Sequence, residues 1–166
     1  LNILLLGVGG VSIIAFILAL VAMGSQNFRD IAIILVGSFV VLIGTLVIYF
    51  INLRWSVKIA AIFFLVLLTL IFSLSDTPLQ VSSGRSLFAF AIPIIMASIL
   101  LTPWSSFVFA AISSAIISFL SLSIDRPPNF PAIIGFFLIA LTSWLSARSL
   151  ESALSELRII NTNLDA

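Results

Sequence analysis

Six apolar runs, separated only by short polar stretches, leave this chain almost no choice of solvent. They are Ile3–Met23, Ile31–Ile51, Ile59–Leu74, Ser86–Leu101, Ser105–Ile124 and a last one from Pro131 through Trp144. None carries Asp, Glu, Lys, Arg or His away from its ends. About twenty apolar residues cross a hydrocarbon core as a helix, and a chain apolar on every face has lipid around it. With no water to satisfy backbone groups there, only helices or closed barrels span, and runs of this length specify helices. The expectation is an all-α integral membrane protein: a six-transmembrane-helix bundle of antiparallel neighbours joined by short connectors.

Composition removes several classes of function. With 62% hydrophobic and 8% charged residues and a net charge of +1, the chain has no basic patch for nucleic acid. It contains neither His nor Cys, so the commonest metal ligand, general base, haem ligand and thiol are all absent. No metal site, cofactor or catalytic residue can be assembled, and the chain is expected not to be an enzyme. Ionisable groups at membrane depth, which proton pumps, ion-coupled transporters and voltage sensors need, are missing as well.

Along the chain, small residues mark close approaches. Gly7, Gly9, Gly10, Ala15 and Ala19 lie in the first run, and Ser106, Ala110, Ser114 and Ser118 recur every four residues in the fifth. Such a stripe suits helix packing, or alternatively a polar path. Pro93 stands in the middle of the fourth run and predicts a kink, hence a hinge. Ser75–Gly84 reads as the longest polar connector, and Asn129 and Pro131 as the cap and first turn of the sixth helix. One set of loops gathers Arg29, Asp30, Asp76, Gln80, Arg85, Asp125 and Arg126. These are the ligand candidates, with Arg85 able to clamp an anion or headgroup; the other reading is ordinary interfacial charge that orients helices. The opposite loops hold Arg54 and Lys58 on the side of the C-terminal tail with Arg148 and Arg158, which places both termini in the cytoplasm.

The sixth run turns polar at Ala147 with no Gly or Pro to end its helix. Beyond it Ala147, Leu154 and Asn161 alternate with Leu150, Leu157 and Leu164 at steps of three and four, the a and d positions of a heptad. Asn at an a position favours a parallel dimer in one register. The charges on this tail are mixed in sign, unlike the basic face of a membrane-surface helix. Residues 1–147 are therefore the transmembrane bundle and 148–166 a cytoplasmic coiled-coil extension of the last helix.

The runs RSLFAFAIPIIMASILLTPWSSF and NFPAIIGFFLIALTSWLSARSLESALSELRIINTNLDA resemble the N-terminal multispan input domain of bacterial membrane sensor histidine kinases over roughly residues 85–166. The ARSLE exit and the ELR-x-x-N-x-x-L coil carry the likeness, while the first three runs match only in being apolar. The resemblance implies a multi-pass protein of the bacterial inner membrane, in contact with lipid and dimeric through its last helix. It also implies a kinase module downstream in the same chain. The phosphoacceptor His and the nucleotide-binding motif of such a kinase are absent from these residues. Two other functions fit the residues alone, a small transporter or channel subunit and an anchoring scaffold. A flux lost on Ser114→Leu or Ser118→Leu would identify the first.

Overall fold

The computed structural model describes residues 1–22, 28–74 and 77–164, apart from the side chains of residues 22, 28–34, 85 and 158–164. Every element among them is helical: α1 Asn2–Ala22, α2 Phe28–Arg54, α3 Val57–Leu74, α4 Pro78–Ser83, a 3₁₀ helix Arg85–Phe90, α5 Ala91–Leu100, α6 Ser105–Ser123 and α7 Phe130–Leu164. Among the described residues, five helices hold stretches long and apolar enough to cross a membrane: Asn2–Val21 of α1, Leu35–Arg54 of α2, α3, α6 and Phe130–Leu157 of α7. The fourth expected span is shorter, an apolar helical segment from Ser86 to Leu100. By contacts the chain divides into two compact units, Leu1–Ile71 and Phe72–Ala166. That boundary differs from the expected division at Ala147, which follows the change from apolar to polar sequence and not contact clusters.

In the first unit α1 and α2 form an antiparallel pair. Asn52 Nδ2 donates to Asn2 Oδ1, Gly9 faces Thr45, and the rings of Phe16 and Phe39 lie 6.3 Å apart. As one index rises the other falls, which is the mark of antiparallel neighbours. Of the three clustered glycines only Gly9 meets the partner; Gly7 and Gly10 look onto open space. Buried hydroxyls in this pair are satisfied within their own helices, Ser12 to Val8 O at 2.8 Å and Thr45 to Val41 O at 2.7 Å. Ser56 separates α2 from α3, its Oγ accepting the Lys58 N–H at 3.3 Å as an N-cap.

The second unit departs from the sequence reading in two places. The connector Ser75–Gly84 is not all loop, because Thr77-Pro78 starts a helix: Pro at the first helical position loses no donor, and Val81 and Ser82 behind it are buried. The fourth run is not an α-helix kinked at Pro93. Residues Arg85–Phe90 wind as 3₁₀ helix, Ala91 N–H reaching Phe88 O, and α-winding begins only at Ala91. Pro93 is thus the third residue of α5, in the first turn where its missing N–H costs nothing. Its ring would collide with the Ala89 carbonyl of an α-turn, so the chain upstream winds more tightly.

Candidate functional site

Two turns are tied together at one end of the second unit. The Asn129 amide donates to Ser82 O of α4 at 3.2 Å, while its Oδ1 accepts the Ala132 N–H at 3.2 Å and caps α7. The preceding turn closes α6 in a Schellman motif, with Arg126 N–H on Ser121 O at 3.0 Å and Asp125 N–H on Leu122 O at 3.2 Å. The left-handed position of that motif favours Gly, yet here it is Asp125 with φ 54°. An acid at a helix C-terminus also opposes the helix dipole. Asp125→Gly is expected to raise stability by about 0.5–1 kcal/mol, read from thermal unfolding in detergent.

Of the seven ligand candidates, Gln80, Asp125 and Arg126 are exposed at this end. Among the described residues no hydrogen bond or ion pair joins the three to one another. Asp76 lies outside the described residues, as do the side chains of Arg29, Asp30 and Arg85. Arg85 opens the 3₁₀ helix directly after Gly84.

Deeper in the unit, serines fasten α5 and α6 to α7. Ser143 Oγ lies 2.6 Å from Ser98 Oγ, and Ser98 donates to Ile95 O at 2.8 Å. Ser106 Oγ lies 3.1 Å from Ala140 O of α7 and 2.9 Å from Pro103 O. Where one face of each helix is small, such bonds hold backbones close together. The stripe read from the sequence is largely buried, with Ser106, Ala110 and Ser114 enclosed and Ser118 half-buried. Ser113 and Ser114 are exceptions to the usual satisfaction of buried hydroxyls, as neither Oγ has a partner. Ser113→Ala is expected to keep or raise stability by about 1 kcal/mol, whereas Ser106→Ala lowers it by a similar amount; denaturation of the two variants in detergent checks the sign.

Where α7 turns polar, an aromatic cluster surrounds it. Trp104 in the α5–α6 turn stands 5.5 Å from Trp144 and 5.4 Å from Phe107, and Phe107 is 6.4 Å from Trp144. Arg148 Cζ lies 5.4 Å from the centroid of the Trp144 ring. Tryptophans of this kind suit the membrane–water boundary, and a cation over an aromatic face is attracted to it. Sequence reasoning missed this cluster. Its signals were the i, i+4 spacing of Trp144 and Arg148 and the placing of both tryptophans at run ends.

α7 continues past the cluster without a break, 35 residues in one helix. Its length is about 52 Å, against about 30 Å of hydrocarbon, so a substantial part lies beyond any bilayer it crosses. On that part Ala147 is half-buried, while Leu150, Leu154 and Leu157 are 58%, 51% and 62% exposed. The side chains of Asn161 and Leu164, which complete the predicted seam, lie outside the described residues. Neither a family model, a curated protein nor a solved structure matches this chain.

Proposed function

We propose that the chain is the transmembrane sensory input domain of a bacterial two-component receptor, and that α7 carries its signal to a cytoplasmic kinase module. The observation that supports this most directly is the unbroken α7, apolar in its first part and lined with exposed leucines in its second. A rod of this kind transmits displacement without a joint. Its leucine seam is matched by a second copy of the same helix in parallel, with Asn161 setting the register. The 3₁₀ helix and α5 supply a sixth crossing. Wound as they are, their 16 residues reach about 27 Å instead of the about 24 Å of an all-α segment. Six crossings put both termini on one side, with Arg54, Lys58, Arg148 and Arg158 in the cytoplasm of a bacterial inner membrane. A stimulus need favour one of two packings by only a few kcal/mol to change the output.

The test is a register series in a fusion of the chain to a histidine-kinase module. One residue inserted after Ser149 turns everything beyond it by about 100°, and seven restore the seam. Autophosphorylation is expected to change by about tenfold with one or two inserted residues and to return with seven. An output indifferent to all three insertions would remove the reading. The transporter alternative draws on the serine stripe, but the bond from Ser106 to the α7 backbone and the enclosure of Ser114 favour packing over a path.

A further inference from the structure

The 3₁₀ helix Arg85–Phe90 is six residues long, although 3₁₀ runs beyond three or four residues are uncommon because side chains eclipse and hydrogen bonds are poorly aligned. Pro93 explains why α-winding cannot pass upstream without adjustment. The remaining question is what a long, costly 3₁₀ segment does in an apolar element at the lower limit of spanning length. It adds reach. Each residue rises about 2.0 Å in 3₁₀ winding and about 1.5 Å in α-winding, so conversion of all six shortens the segment by about 3 Å and turns its outer end by about 120°.

Both ends of this segment are fastened to α7. At the outer end Gly84 joins it to α4, which Asn129 holds through Ser82 O at 3.2 Å. At the inner end Ser98 of α5 meets Ser143 at 2.6 Å. Between them Phe90, fully buried, sets its ring 6.2 Å from that of Phe136 on α7. Phe88 is 77% exposed. A contraction between two points on one stiff helix cannot be absorbed along that helix, so it loads both attachments and bends α7 between them.

We propose that the 3₁₀–α5 segment gauges bilayer thickness, extended in a thick membrane and contracted to α-winding in a thin one. This rests on the sensory reading above and names the stimulus. Hydrophobic mismatch over about 3 Å shifts the ratio of the two windings by about fivefold. Neither a soluble ligand nor a headgroup contact is needed.

The test uses the whole chain in vesicles of short-, medium- and long-chain monounsaturated phosphatidylcholine. Solid-state NMR of Arg85–Phe90 reports winding directly, since ψ moves from about −25° in 3₁₀ to about −42° in α. The chain has no cysteine, so nitroxides on Leu79→Cys and Ile99→Cys add a distance across the segment without background. The 3₁₀ share is expected to fall as the bilayer thins, with the label distance shortening by about 3 Å. In Pro93→Ala the α form is expected in all three lipids. Winding that is the same in every lipid in the unsubstituted chain overturns the proposal, whatever the variant does, and so does persistent 3₁₀ winding in a folded Pro93→Ala. The register series after Ser149 reads the sensory role separately. A thickness-dependent winding with a register-blind output would leave the gauge standing and remove the receptor.

Discussion

Oxidation of membranes containing the Leu154→Cys chain is expected to link most copies into disulfide dimers, while Ser152→Cys stays monomeric. Leu154 lies at an a position of the heptad and Ser152 two residues before it, at f, on the opposite side of α7. Because the chain has no cysteine of its own, each band reports the introduced one alone. Adding Leu150→Lys and Leu157→Lys to the Leu154→Cys chain puts like charges at both flanking d positions. The linked fraction should then fall by about tenfold, since apolar a/d contact is what draws the two helices together. The side chains altered are more than half exposed in a single copy, so the substitutions disturb no packing within one chain. Equal linking at Leu154 and Ser152, or a seam indifferent to lysine, would mean that this face has no partner of its own kind.

Gly84→Ala is expected to cost about 2–3 kcal/mol. A Cβ built on Gly84 would meet Gln80 Oε1 first, and would also lie 2.8 Å from Gln80 O and 2.9 Å from Gln80 Cα, both backbone atoms of α4. The same carbonyl accepts the Gly84 N–H at 2.9 Å, which draws the chain in that closely. The Gln80 side-chain end can swing aside, but the two backbone atoms cannot. Relief requires α4 to shift, and with it the Ser82 carbonyl that holds Asn129. Unfolding in detergent should show the loss, and Gly84→Val should exceed it. An alanine variant as stable as the parent would show that α4 moves freely against the 3₁₀ helix.

The helical character was legible because lipid imposes it: runs such as Ile31–Ile51 and Ser105–Ile124 can satisfy their backbones in no other way. The cap at Asn129 was equally legible, since a short amide before an apolar run has one use at a helix start. The 3₁₀ winding was not. Hydropathy cannot separate 3₁₀ from α in a uniformly apolar run, and Pro93 acts on the carbonyl four residues behind it, not at its own position. The polar connector misled for a related reason. By composition Ser82 and Val81 read as loop, although Thr77-Pro78 is a helix start and tertiary burial completes it. The Trp104–Trp144 contact depends on which faces the α5–α6 turn brings round to α7, and that is a property of packing.

Two of the ties that hold α7 have an inheritance of their own. Asn129 and Ser106 donate to carbonyl oxygens, of Ser82 and Ala140, and not to particular side chains. Any residue supplies a carbonyl, so the receiving positions are released from matching their donors. Descendants of this chain should retain the amide and the hydroxyl while the residues opposite drift, and paired substitutions would not betray the contact. A lineage could rewrite much of its lettering in this way and still keep the same three helices fastened together.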